Sequence, residues 1–159
     1  MNIDIIAVGK LREKFYQDAA AEYTKRLSRY AVLRIIEVEE VKKPEVISDA
    51  LSLQIREKEA ERIRKYYRDG ALKAALVIQG QELDSIQFSE IINKAAISGT
   101  NTIQFIIGGA IGLGDSVMKE ADIKLSFSRM TFPHQLMRVI LLEQVYRSFR
   151  IIRGEPYHK

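Results

Sequence analysis

The chain of 159 residues contains no cysteine, which excludes disulfides, thiolate metal sites and a cysteine nucleophile together, and points weakly to an intracellular location. It has only two histidines, His134 and His158, with no HExxH and no histidine-rich tract, so little remains from which to build a transition-metal site. No apolar run approaches the roughly 20 residues of a membrane helix. The opening MNIDIIAVGK carries an acid and no basic segment ahead of its short apolar run, so it reads as a strand and not as a signal peptide. There is no repeat, low-complexity tract or linker to divide the chain. One domain over residues 1–159 is expected, long enough to bury about 68–70% of the surface of its unfolded form.

What is present fits a globular protein: 47% hydrophobic residues and a mean hydropathy of −0.13. The net charge of +4 and pI near 9.3 are mild but unevenly placed. From Arg138 onward stand Arg138, Arg147, Arg150, Arg153 and Lys159 against Glu143 and Glu155. Such a face meets a phosphate backbone well, because neutralising phosphates releases counterions; it also describes an ordinary solvated helix.

Apolar runs and amphipathic stretches alternate along the chain. Ile3 to Val8 reads as a strand buried on both faces. From Glu13, Phe15, Ala19, Tyr23 and Leu27 recur every four residues, the stripe of an amphipathic helix. Leu33 to Val38 is a second strand, and a long charged helix is expected between Glu45 and Arg68, with Leu51, Ile55, Ile63 and Tyr67 as its apolar side. Leu72 to Ile78 is a third strand, turned by Gln79-Gly80. Asp84 with Gln87 makes a reciprocal helix cap ahead of Phe88, Ile91, Ile92 and Ala95. A fourth strand, Thr102 to Ile107, a short helix from about Ser116 to Ala121 and a fifth strand, Ile123 to Phe127, follow. The last helix, about Pro133 to Ile151, is apolar around most of its circumference, so it needs cover on two sides. A sheet supplies one; a second subunit is expected to supply the other, making a homodimer. The alternation as a whole predicts an α/β fold, a mostly parallel sheet with helices on both faces.

The stretch TIQFIIGGAIGLGD, Thr102 to Asp115, is strand, glycine turn and helix start, with Asp115 and Ser116 supplying the cap. Loops at the carboxyl ends of strands form ligand sites in open α/β sheets. A triphosphate loop has the spacing of Gly109 to Ser116, but Asp115 stands where lysine should hold the phosphates. A dinucleotide loop starts well at Gly112-x-Gly114 but ends in Val117, follows a late strand and lacks the ribose-binding acid downstream. A third ligand fits better: one held by backbone groups and apolar walls, as the adenosine of S-adenosylmethionine would be. Phe127, Met130 and Phe132 would help line its slot, although such a cluster after a strand is commonly plain core.

Ile107–Leu113 (IGGAIGL), Leu125–Arg147 (LSFSRMTFPHQLMRVILLEQVYR), the terminal PYHK and the opening IDIIAVGK together resemble the ribosomal RNA large-subunit methyltransferase H family, of the SPOUT class of methyltransferases. The resemblance covers essentially the whole chain and implies a C-terminal trefoil knot and a compact homodimer in the cytoplasm. It implies methyl transfer from S-adenosylmethionine to N3 of a pseudouridine in 23S rRNA of the ribosome, with no metal and no membrane. Carried over, the cofactor pocket takes Leu76, Ile78, Gly108 and the run Phe127, Ser128, Arg129, Met130, Thr131 and Phe132. The Gly154-Glu155 pair before Pro156 departs from the family's usual pattern.

Transfer from a sulfonium uses a reactive group that the cofactor already carries, so positioning is most of the protein's task. The remaining demand is removal of an imide proton. His134 and His158 are the side chains suited to it near neutral pH, and Arg138 is a candidate to stabilise negative charge on the base. His134 could instead organise its loop, and Arg138 make a subunit or phosphate contact. Tyr157 and His158 are expected to stack on an unpaired RNA base, with Lys159 on a phosphate. The rival readings are an RNA-binding or ribosome-associated module that has lost the cofactor, and a nucleotide-binding oxidoreductase.

Overall fold

Five strands, β1 (Asn2–Val8), β2 (Val32–Val38), β3 (Leu72–Glu82), β4 (Thr102–Ile107) and β5 (Ile123–Ser126), form one sheet in the order β2-β1-β4-β3-β5, and every neighbouring pair is parallel. The computed structural model describes residues 1–158. The helices are α1 (Lys14–Leu27), α2 (Asp49–Arg64), α3 (Ser85–Ile97), α4 (Asp115–Glu120) and α5 (His134–Ile152). No described helix is long and apolar enough to cross a membrane.

β1 and β4 lie side by side at the centre, which is why both are near-continuous apolar runs. Alternation along them divides the core in two. Ile3, Ile5 and Ala7 with Ile103, Phe105 and Ile107 pack against Leu27 of α1, Phe88 and Ile92 of α3, and Leu141 and Val145 of α5. Ile6, Val8 and Ile106 pack on the other face against Ala60 and Ile63 of α2 and Val117 of α4. Helices therefore cover both faces. Asp4, the one acid in β1, is buried; it accepts from Arg34 Nη2 at 2.8 Å and Gln104 Nε2 at 3.0 Å, with Arg68 Nε at 3.1 Å. A buried carboxylate survives only with partners of this kind.

Local signals hold best where a cap fixes them. The Asp84 carboxylate accepts from Gln87 N at 2.7 Å while Gln87 Oε1 accepts from Asp84 N at 3.0 Å, the reciprocal box that starts α3. α2 begins later than Glu45, because Ser48 is its cap and accepts from Leu51 N. It ends at Arg64, earlier than expected, ahead of a turn that carries Gly70 at φ +71°. On α1, Phe15 is exposed and Ala20 is buried, so the stripe is rotated from the one expected.

Two differences bear on the site. Gln79-Gly80 does not turn the chain: β3 continues to Glu82, with a register shift against β5 between Leu76 and Gln81. A Cβ on Gly80 would lie 2.6 Å from the Leu125 carbonyl carbon, so the glycine permits a close backbone crossing. The second difference concerns α5, which packs against both α1 and α3 as well as the sheet core. Much of its apolar circumference is thus covered within the chain, leaving Leu136, Met137, Val139 and Ile140 half-buried.

Candidate active site

The carboxyl ends of β3, β4 and β5 and the start of α5 enclose a cavity of about 830 Å³. This is where an open α/β sheet binds ligands, and the volume is that of a small-molecule site. One wall is the glycine loop after β4, folded back on itself: Gly112 N donates to Gly109 O at 3.1 Å, and Gly112 takes φ +87°. A Cβ on Gly108 would stand 2.7 Å from the Gly112 carbonyl carbon, so only glycine allows the fold-back.

The loop is braced from behind by α2. A Cβ on Gly114 would meet Arg56 O at 2.7 Å and Glu57 Oε1 at 2.8 Å. Glu57 Oε1 also accepts from Ser116 N at 3.2 Å, and hydrogen bonding from Ser116 holds this carboxyl below its usual range. The expected cap is thereby corrected: Gly114 is the N-cap of α4 and offers no side chain, Asp115 is the first helical residue, and the carboxylate comes from α2. Glu59 is buried beside the loop; its Oε1 accepts from Val41 N at 3.0 Å, while Oε2 has no protein partner, and burial pushes the carboxyl upward. These α2 residues were missed in the sequence, yet one signal was available: Glu59 stands four residues after Ile55 and four before Ile63, on the buried side of the helix.

Opposite lies the loop of residues 127–133. Ser126 Oγ donates to Ser128 O at 3.0 Å, and Met130 N donates to Ser128 Oγ at 2.9 Å. Phe127 is anchored edge-on against Phe88 at 5.8 Å, whereas Met130 is 74% exposed and so is not plain core. Leu76, Ile78, Gly108, Phe127, Ser128, Met130, Thr131 and Phe132 all line the cavity. Arg129 does not; its side chain is exposed and pairs with Glu82 at 3.2 Å.

The three candidates for proton chemistry are separated. His134 lines the cavity at the first residue of α5, and burial lowers its imidazole pKa, with Glu40 opposing. Arg138 is 0% exposed and absent from the lining; Nη1 donates to Glu37 Oε1 at 2.8 Å and Nη2 to Gly9 O at 2.9 Å. It bolts α5 to the ends of β1 and β2. The tail folds back along α5: the Tyr157 ring meets Tyr146 at 4.9 Å, its hydroxyl donates to Glu143 at 3.2 Å, and His158 Nδ1 lies 3.4 Å from Arg147 Nη1. Burial first, and then Tyr23 and Glu143, push the Tyr157 phenol up to about 12, so it remains a donor. Neither Tyr157 nor His158 lines the cavity of its own chain, and Lys159 lies outside the described residues.

An all-parallel sheet with a glycine loop and a second loop enclosing a cavity at its carboxyl edge is the ligand-site arrangement of an open α/β protein. A family profile described as "Predicted SPOUT methyltransferase" matches residues 1–158, and the chain belongs to the SPOUT methyltransferase family. Over its full length and theirs it is 56% identical to the ribosomal RNA large subunit methyltransferase H of Bifidobacterium adolescentis. It is 57% identical to a putative protein of that name from Methanococcus maripaludis, again over the full length of both. Two solved structures share the fold. A probable methyltransferase from Bordetella pertussis has a TM-score of 0.58 at 8% identity, over 92% of this chain and 95% of that one. A probable methylase family protein from Haemophilus influenzae has a TM-score of 0.56 at 15% identity, over 99% of this chain and 70% of that one.

Proposed function

We propose that the chain transfers the methyl group of S-adenosylmethionine to N3 of a pseudouridine in 23S rRNA, acting on assembled ribosomes. The cavity carries this reading. Its walls offer backbone groups at Gly108, Phe127, Ser128 and residues 130–132 and apolar side chains at Leu76, Ile78 and Phe132. That donor set fits an adenosine moiety, and Asp115 on the rim disfavours a polyphosphate by like-charge repulsion. The full-length likeness to proteins named as large-subunit rRNA methyltransferases supports the substrate class.

Bound there, the cofactor supplies an electrophilic methyl on a sulfonium centre. The chain's own residues have two tasks. The glycine loop and the 127–133 loop hold the two partners in line, the contribution that positioning makes to a displacement. His134, kept neutral near pH 7 by burial, takes the imide proton as general base. Arg138, with both terminal nitrogens engaged, acts through the position of the Gly9 backbone and α5.

We also take the chain to be one domain carrying its family's trefoil knot, working without a metal in the cytoplasm. It pairs as a homodimer through the half-buried strip Leu136, Met137, Val139 and Ile140.

Calorimetry tests the ligand. S-adenosylmethionine and S-adenosylhomocysteine are expected to bind, and NAD and ATP are not. Silence with the first two would leave an RNA-binding module without cofactor, and binding of NAD an oxidoreductase. A pH profile tests the base. Because folding lowers the His134 pKa, the neutral, active form is already dominant below the ordinary value of about 6.5. Single-turnover rates should rise with pH along an acid limb below that value and then plateau. In His134→Gln the limb should vanish and the plateau fall by about 10²-fold or more. An unchanged limb in the variant would remove His134 from the role.

A further inference from the structure

A second pocket, lined by arginines, lies at the far end of α5. α5 has 19 residues, so at about 1.5 Å per residue its last turn is roughly 28 Å from His134. There the C-terminal ends of α1 and α5 converge, and Arg29, Tyr30, Arg150, Arg153 and Glu155 line a cleft.

Its centre is a tightly bonded latch. The Tyr30 hydroxyl donates to Glu155 Oε2 at 2.5 Å, and Arg150 Nη1 lies 2.6 Å from the same oxygen. Arg150 Nη2 donates to Pro156 O at 3.1 Å, while its Nε is buried without a protein partner. Glu155 is therefore what fastens the tail.

Around the latch the charges do not balance, since three guanidinium groups face one carboxylate and that carboxylate is already engaged. Arg153 lies 4.7 Å over the Tyr30 ring, a contact that orients its guanidinium. Arg29 and Arg153 are both exposed, and among the described residues neither has a carboxylate within ion-pair distance. Both stand at helix ends, Arg153 as the C-cap of α5 and Arg29 next to Ser28, the C-cap of α1, so the helix dipoles favour cations there, but those ends are not otherwise bare. Lys25 and Arg26 already complement the end of α1, and Arg150 that of α5.

We propose that Arg29 and Arg153 form a phosphodiester-binding site for the RNA, remote from the methyl-transfer cavity and built on the Tyr30–Glu155–Arg150 latch. The arginine fork matches phosphate oxygens bidentately. Distance from the cavity suits a polymer that can reach both places, since about 28 Å is a span that several nucleotides of one RNA can bridge. One RNA can thus engage the cavity and the cleft together. This proposal rests on the rRNA methyltransferase reading and adds to it a second contact.

The test uses the full chain with Arg29→Glu/Arg153→Glu, a milder Arg29→Gln/Arg153→Gln, and a control of equal charge change, Lys65→Glu/Lys94→Glu. Ribosome affinity is measured across a salt series, and S-adenosylhomocysteine affinity by calorimetry. The Gln pair should bind S-adenosylhomocysteine within twofold of wild type. It should lose about 10-fold or more in ribosome affinity, with a log–log salt slope shallower by about one to two. The Glu pair should lose more, and the control less than threefold. Unchanged ribosome affinity and slope in a Gln pair that binds S-adenosylhomocysteine normally would overturn the site. So would saturable binding of inorganic phosphate that disappears in the Gln pair while ribosome affinity stays intact, because the cleft would then serve a small anion. Wild type that binds S-adenosylhomocysteine but not ribosomes would refute the substrate reading and the site together; wild type that binds ribosomes but not the nucleoside would refute only the methyltransferase reading.

Discussion

Arg138→Met is expected to cost about 3–4 kcal/mol of folding stability, more than any other single change considered. Arg138 is fully buried and its guanidinium links Glu37 to the Gly9 carbonyl. Removing one member of a buried ion pair leaves the other charge uncompensated, at about 3–5 kcal/mol. Glu37 retains a hydrogen bond from Leu11 N at 3.0 Å and is itself 35% exposed, which argues for the lower end. For a chain of this size each kcal/mol moves Tm by about 2–4 °C, so a fall of roughly 6–16 °C should appear in thermal unfolding. Arg138→Lys should recover only part of it, because an ammonium keeps the charge and not the planar fork that spans both acceptors. A loss under about 1 kcal/mol would mean that Glu37 is well solvated and that α5 is held at this end by packing alone.

Deleting Tyr157 to Lys159 is expected to lower methylation by about 10²-fold or more while S-adenosylmethionine affinity stays within a few-fold of wild type. Tyr157 and His158 lie on α5 and away from the cavity of their own chain, so the cofactor should not register their loss. RNA loops are commonly held by stacking on aromatic side chains, and the tail is the segment with that chemistry. Tyr157 also packs on Tyr146 beneath the Arg147 guanidinium, so a modest fall in Tm should accompany the deletion. Tyr157→Phe separates the two effects, keeping the ring and removing only the hydrogen bond to Glu143. Loss of cofactor affinity in the deletion would show instead that the tail closes over that pocket, and its RNA role would need to be abandoned.

How much of this was legible in the sequence follows from the range over which each signal acts. β1 and β4 were plain because central parallel strands must be apolar on both faces. The start of α3 was plain because Asp84 and Gln87 cap each other across three residues. The two loops around the cavity were also visible, as a glycine cluster and an apolar run after strands. What escaped was set by contacts across long separations. The Gln79-Gly80 pair looks like any turn until Leu125 is seen against it. The carboxylate that caps α4 stands 59 residues upstream in α2. Arg138 had the residue type of a catalytic cation, and only its partner 101 residues away in β2 shows where the guanidinium is engaged. The cover of α5 was assigned to a second subunit because periodicity reports how much surface needs burying and not which element buries it; α1 and α3 supply much of it. The proposed knot rests on family resemblance alone, since threading leaves no periodic trace.

The most direct measurement offers labelled S-adenosylmethionine and the purified protein to ribosomes from cells lacking it, and then maps the label on the RNA. The expected result is one methyl at N3 of a single pseudouridine of 23S rRNA, with protein-free RNA a poor acceptor and His134→Gln strongly impaired. Label on a different base, or equal labelling of protein-free RNA, would contradict the proposed substrate.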